Sequence, residues 1–400
     1  MSARIRPDTA PRGGFPLMGG RAARVGAAAR IRGVGVALAI DRPLVTAFVL
    51  SRLVVLLAAV AAEYLLARNP LLTSGDAAPL LRSLTSWDGM YYLGIARDGY
   101  HAAAVSGAYH DYAFAPLYPM LVRVLSAPWP GFAGLVAVVV SNVAFLAALG
   151  LLIRLGEPYL GRRRARLAAM ILAFFPFAAV FSMAYTESLF LALSLAAFLA
   201  AERGSRGWAG VFLALATLAR LQGVVLFVPL GLLILARDGW RPHLSLAWLA
   251  LGPIAAAGFL AYANGVAGSS TAFLDAQTAW GRAGIGGAAE ASGSLAAGFN
   301  SPLAVYQGSL LLTLCGALFL LVYVRPDRIP LAYALVPVLY IGAELSSGLL
   351  EAVGRITMLA FPYAWILARR SSGFRRSWSL LSVALLALVS ALYFAGFYVP

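Results

Sequence analysis

Asp88 and Tyr92 stand four residues apart in Trp87-Asp88-Gly89-Met90-Tyr91-Tyr92-Leu93-Gly94-Ile95-Ala96-Arg97-Asp98-Gly99-Tyr100. That spacing puts a carboxylate and a phenol on one face of a helix. The same helix would turn Leu93 and Ala96 toward lipid, so the carboxylate is expected near a membrane surface at the start of a short interfacial helix. A helix N-terminus favours the ionised form, the state a general base needs. The position equally suits an Asp that only caps the helix. The flanking sequence carries Tyr100, Tyr109, Tyr112 and Tyr118 together with Asp76, Asp98 and Asp111. Aromatic faces stack on sugar C–H groups and carboxylates accept hydroxyl hydrogens, so this is the composition of a carbohydrate-binding surface. An interfacial aromatic belt has the same composition.

The elements that must position these groups are membrane helices. Of 400 residues, 61% are apolar and 12% charged, and the mean hydropathy is +0.83, beyond what a water-soluble domain carries. The single Cys315 excludes a disulfide scaffold. All 31 basic residues are Arg, and the net charge is +15. These charges flank apolar runs, which points to membrane topology and not to nucleic acid. Spans are expected at 43–66, 130–153, 166–183, 187–201, 207–220, 223–236, 243–264, 303–324, 329–346, 354–368 and 377–398. That gives about eleven, several of them short. Residues 1–42 read as a disordered, Arg-rich cytoplasmic tail and 43–400 as one transmembrane domain. Alternation then places most Arg inside, the connections 67–129 and 265–302 outside, and the C-terminus outside. Arg52 and Glu63, in the first span, are expected to be structural.

Several chemistries are disfavoured. A Walker loop is impossible without Lys. Three His, one Cys and no HExxH give poor support for a metal, and no cofactor is expected. Ser and Cys nucleophiles lack a neighbouring His. No cytosolic stretch is large enough to bind a nucleotide sugar.

Further strings follow in order: Tyr112-Ala113-Phe114-Ala115-Pro116-Leu117-Tyr118-Pro119; Phe175-Pro176 with Tyr185-Thr186-Glu187-Ser188-Leu189-Phe190; Ala219-Arg220-Leu221-Gln222-Gly223; Phe273-Leu274-Asp275-Ala276-Gln277 with Trp280-Gly281-Arg282; and Gly354-Arg355-Ile356-Thr357 with Phe361-Pro362. Together with the Asp88 string they resemble the PIG-V-like (GPI mannosyltransferase II-like) mannosyltransferases of the GT-C superfamily of polytopic glycosyltransferases, departing at Ala115 and at Leu221-Gln222. The resemblance implies an all-α, GT-C-like transmembrane bundle with short interfacial helices in the first extracytoplasmic loop. It implies transfer of a sugar, by family precedent mannose, from a polyprenyl-phosphate donor to a hydroxyl of a lipid or glycolipid acceptor at the outer membrane face. The transfer would be an inverting one, with Asp88 as general base.

Substrate-side positions implied by the resemblance, or standing beside it, are Trp87, Tyr91, Tyr92, His110, Asp111, Tyr118, Glu187, Arg220, Gln277, Trp280 and Arg355. Arg355 and Arg220 are candidates to grip the donor phosphate. Their alternatives are snorkelling or a local pair such as Arg355 with Glu351. Glu187 is a second carboxylate candidate or a helix cap, and His110-Asp111 an assisting pair or an ordinary loop contact. The Arg-only, Ala-rich composition points to a bacterial plasma membrane. A secondary transporter or lipid flippase is the alternative, but its usual mid-span charges and internal repeat are not evident.

Overall fold

Asp41 opens the first long helix, its Oδ1 accepting the Leu44 N–H at 3.2 Å while Pro43 pre-sets the first turn. That helix, α1, runs Arg42–Tyr64. The computed structural model describes residues 39–69, 78–101, 111–280, 329–347 and 353–397, and the regular structure among them is entirely helical. Residues 1–38 of the expected tail 1–42 and the expected span 303–324 lie outside the described residues, while Asp41 and Arg42 of that tail already cap and begin α1.

Helices α2 (Pro79–Leu84), α3 (Asp88–Asp98) and α4 (Leu117–Ser126) are the short pieces expected in the first outer loop. They are followed by α5 (Ala133–Leu160), α6 (Arg162–Ala173), α7 (Glu187–Glu202), α8 (Arg206–Ala219), α9 (Phe227–Arg237), α10 (Leu251–Ala267) and α11 (Ala272–Ala279). The last group is α12 (Leu331–Ser347), α13 (Val353–Leu359), α14 (Pro362–Ala368) and α15 (Ser372–Ala395). Among the described residues, four stretches are long and apolar enough to cross a membrane: Arg42–Tyr64, Pro130–Leu160, Leu244–Ala267 and Ser372–Ala395. The described residues are those of an all-α membrane protein.

Two expected spans are broken. The stretch 166–183 is not one helix: α6 stops at Ala173, and the backbone runs irregularly, with a 3-10 turn at Ala178–Phe181, until α7 begins. Pro176 cannot donate to a helical ladder, and tertiary partners take up the freed carbonyls. The stretch 354–368 divides at Ala360-Phe361, ahead of Pro362. Two others, expected at 223–236 and 243–264, begin as 3-10 turns, Leu221–Leu226 and Leu244–Ala250.

Helix α7 lies at the centre, with α5 and α8 as its main neighbours, while α1 packs along α15. Close approach of α8 to the Leu244–Ala250 turn depends on Gly210, where a Cβ would stand 2.1 Å from the Trp248 carbonyl oxygen. Ala96 of α3 is buried and does not face lipid, because the aromatic cluster of Tyr92, Phe114 and Tyr118 packs over that face.

Candidate active site

The chain enters α3 through Trp87, which takes φ 57, a left-handed value rare for a bulky residue. What holds it is the indole, half-buried against the main core, with Nε1 donating to the Tyr393 carbonyl at 3.1 Å. Trp87 is thereby the N-cap and Asp88 the first helical residue. Asp88 therefore does not use its side chain as the cap. Its backbone N–H donates to the Tyr185 hydroxyl at 3.2 Å, and its Oδ2 accepts from Arg355 Nη1 at 2.6 Å.

Arg355, on α13, is 267 residues away in sequence and buried. The same Nη1 lies 3.6 Å from Glu187 Oε1, and the guanidinium carbon stands 5.7 Å from the centre of the Tyr185 ring. Glu187, fully buried at the start of α7, accepts from Arg220 Nη1 at 2.6 Å through that same oxygen. Arg220 ends α8 in an extended conformation; it also donates to Thr186 Oγ1 and Gln222 Oε1, each at 3.3 Å. Thr186 Oγ1 in turn meets the Tyr92 hydroxyl at 3.3 Å. The result is an alternating chain, Asp88, Arg355, Glu187, Arg220, with two negative and two positive charges contributed by four separate elements.

Such a cluster can stay charged in a low-dielectric setting only because each ion faces an opposite one. It is not fully saturated. Glu187 Oε2 and Arg355 Nε are buried without a hydrogen-bond partner among the described residues. The Asp88 side chain, 19% exposed, is the most open of the four, followed by Arg220 at 11%. Groups of three or more His, Cys, Asp or Glu side chains suited to hold a metal ion are absent among the described residues.

The aromatic residues form a wall on one side. Tyr91 stacks on Phe114 at 5.2 Å, and Trp280 meets both edge-on at 5.4 Å. Tyr92 lies edge-on to Phe114 and to Tyr118. Tyr118 is a buried strut, its hydroxyl shared with the Ala137 carbonyl at 2.8 Å and Ser141 Oγ at 2.9 Å; Ser141 then donates to the Tyr185 carbonyl. Gln277 and Trp280 lie on and just past α11, both half-buried.

Asp111 is set apart from the charged chain and pairs with His101 Nδ1 at 2.5 Å, which pushes the His101 pKa up through the hydrogen bond and the carboxylate charge. His110 and Glu351, each named in an expected pairing, lie outside the described residues. Sequence reasoning brought Asp88, Glu187, Arg220 and Arg355 to one list without their connectivity. It did not assign Tyr185, Thr186 or Gln222, although Tyr185-Thr186 directly precede Glu187 in a string already singled out.

Known proteins match part of this chain in sequence, and solved structures align with it at low identity. Residues 44–233 match the family described as Mannosyltransferase (PIG-V). The GPI alpha-1,6-mannosyltransferase 2 of Cricetulus griseus is 36% identical over 162 residues, which cover 36% of this chain and 30% of that protein. The chain thus spans under a third of the length of this relative. Among solved structures, ArnT from Cupriavidus metallidurans bound to undecaprenyl phosphate aligns with a TM-score of 0.48 at 15% identity, over 90% of this chain and 77% of that one. The Archaeoglobus fulgidus oligosaccharyltransferase tethered to an acceptor peptide aligns with a TM-score of 0.48 at 12% identity, over 90% of this chain and 56% of that one. The matched stretch 44–233 holds Asp88, Glu187 and Arg220 of the charged chain, and over it this protein is similar to the mannosyltransferase (PIG-V) family.

Proposed function

We propose that the protein is a GT-C-type mannosyltransferase that moves mannose from a polyprenyl-phosphate donor to a hydroxyl of a lipid or glycolipid acceptor at the extracytoplasmic face. The observation that carries this reading is the joining of Asp88 and Arg355: a partly open carboxylate and a buried guanidinium at 2.6 Å, brought together from opposite ends of the chain.

In this reading the acceptor oxygen attacks the anomeric carbon while its proton passes to Asp88. The bond from that carbon to the phosphate oxygen breaks, and polyprenyl phosphate departs with the electron pair. One displacement inverts the anomeric configuration, and a phosphate leaving group requires no acid. Arg355 pairs with Asp88 before the donor binds. On donor binding it turns toward the phosphate, where charge grows as the bond breaks. Arg220 is the second phosphate contact. Glu187 holds both guanidinium groups and keeps the centre neutral. The Tyr91, Phe114 and Trp280 rings supply the apolar side against which a sugar face can lie.

The test is transfer from a short-chain polyprenyl-phosphate-mannose by the purified protein. Asp88→Asn keeps size but cannot accept the proton, so turnover is expected to fall by at least ~100-fold with donor binding largely kept. Near-parental turnover in Asp88→Asn, with Glu187→Gln inactive, would move the base to Glu187. Transfer from GDP-mannose in a preparation free of polyprenol lipids would defeat the donor assignment.

A further inference from the structure

Arg52 sits half-way along α1, where a charge is expensive, and forms no ion pair among the described residues. Its guanidinium turns instead to the stretch between α6 and α7. Nη2 donates to the Ala173 carbonyl at 3.0 Å, and Nη1 to the Ala178 carbonyl at 3.0 Å and to Ser182 Oγ at 2.9 Å. Nε donates to Ser51 Oγ at 3.3 Å. The group lies over the Phe145 ring, 4.8 Å from its centre, and Ser182 Oγ continues to Asn142 Oδ1 at 3.1 Å.

Four of the five Arg52 N–H donors, drawn from all three nitrogens, are used on groups of the protein itself. Ala173 is the last residue of α6, where carbonyls are orphaned and the helix dipole is negative. Ala178 and Ser182 lie in the irregular backbone that follows. In hydrocarbon such backbone persists only where protein groups satisfy it. The far end of the stretch is tied separately: the Ala184 N–H donates to the Leu84 carbonyl at 2.8 Å, and Ser141 Oγ to the Tyr185 carbonyl at 3.1 Å. Directly after that tie come Tyr185, which takes the Asp88 N–H, and Glu187, which holds both arginines.

We propose that Arg52 is a positioning residue for the transfer reaction: by pinning the Ala173 and Ala178 carbonyls and Ser182 it fixes where Tyr185 and Glu187 stand, and through them Asp88 and Arg355. The inference rests on the reading of the charged chain as the reaction centre. The Arg52 hydrogen bonds go to backbone carbonyls and hydroxyls of the protein, which is the pattern of a positioning group and not of a substrate contact. A purely structural role would cost folded protein but leave the turnover of each folded molecule unchanged.

The experiment compares Arg52→Gln, Arg52→Lys and Ser182→Ala with the parent in detergent, measuring kcat and donor KM on the monodisperse fraction and hydrogen exchange across 174–190. Since displacement of about 1 Å can cost ~100-fold in rate, Arg52→Gln is expected to lose at least ~10-fold in kcat with donor KM within ~3-fold. Lys keeps the charge but not the fork and falls between the two. Amides between 177 and 188 exchange faster in Arg52→Gln, while those inside α5 do not change.

Parental kcat in folded Arg52→Gln, or a loss confined to yield and Tm with unchanged exchange, overturns the proposal. If Arg52→Gln does not fold, Ser182→Ala, which keeps the charge and both carbonyl bonds, carries the test through its kcat and local exchange. If the parent transfers no mannose, the reaction assignment fails by itself. Exchange then decides the pinning, and an unchanged 177–188 stretch overturns that as well.

Discussion

Arg355 is the residue at which charge and burial meet in the proposed reaction centre. Its Nη1 serves Asp88 and Glu187 at once, and its Nε is buried without a hydrogen-bond partner among the described residues. Replacing it by Gln removes a charge-assisted contact worth ~1.5–3 kcal/mol, so the donor KM should rise by about 10- to 100-fold while the acceptor KM changes less. Steady-state kinetics with each substrate varied separately checks this, and equal effects on both would remove the phosphate role. His101 offers an independent measurement outside the charged chain. Its pKa is raised above 6.5 by Asp111, so the protonated form is favoured in the folded state. The stabilising contribution is fully present below pH 6.5 and is lost as pH rises through the raised value. NMR titration of the imidazole should show that upward shift, and Asp111→Asn should abolish it. An unshifted His101 in the parent would contradict the pairing.

Among the elements, α13 is placed by a glycine. A Cβ at Gly354 would stand 2.9 Å from two Phe177 ring carbons, so Arg355 reaches Asp88 because its preceding residue has no side chain. Gly354→Ala is expected to cost ~1–3 kcal/mol by overpacking and to lower turnover by lifting Arg355 from the centre. Phe177→Leu in the same background should recover part of both, as read by thermal unfolding and by transfer rate. Full activity of Gly354→Ala would show that α13 can shift freely.

The element ends that sequence reasoning located best are those marked by local chemistry: α1 from the Asp41 cap and α7 from Glu187 to the charged turn at 202–206. The break in 166–183 was not legible, since its apolar residues fit a span, and what tolerates the break is an arginine more than a hundred residues earlier. The candidate residues were legible one by one from composition and resemblance, whereas the Asp88–Arg355 contact requires the tertiary path.

At the scale of the whole molecule, the two ends of α7 have different chemistry. Glu187 begins it in the charged chain, and Glu202 ends it where the Tyr159 and Tyr333 hydroxyls and Arg237 converge. Glu187 and Glu202 are the two ends of a sixteen-residue helix and stand about 22 Å apart, most of a bilayer core. The Arg-rich turns gather at the Glu202 end, and the positive-inside rule predicts that this end is cytoplasmic. Single cysteines in a Cys315→Ala background test this: one at Ser270 should react with an impermeant maleimide in intact cells, and one at Ser205 should not. The opposite pattern would put the charged chain on the wrong side for an extracytoplasmic donor.

The bond from Trp87 to the Tyr393 carbonyl joins the first outer loop to the final helical turn of α15, and Asn69 reaches the neighbouring Ala395 and Gly396 carbonyls. Asp88 emerges early in synthesis, yet the backbone turn that aims it is clamped by residues made some three hundred positions later. A nascent chain held at the translocon therefore has its carboxylate and lacks its aim. Under the proposed transfer reaction, a chain terminated anywhere before Tyr393 is expected to lack the clamp on Trp87 and to transfer no sugar.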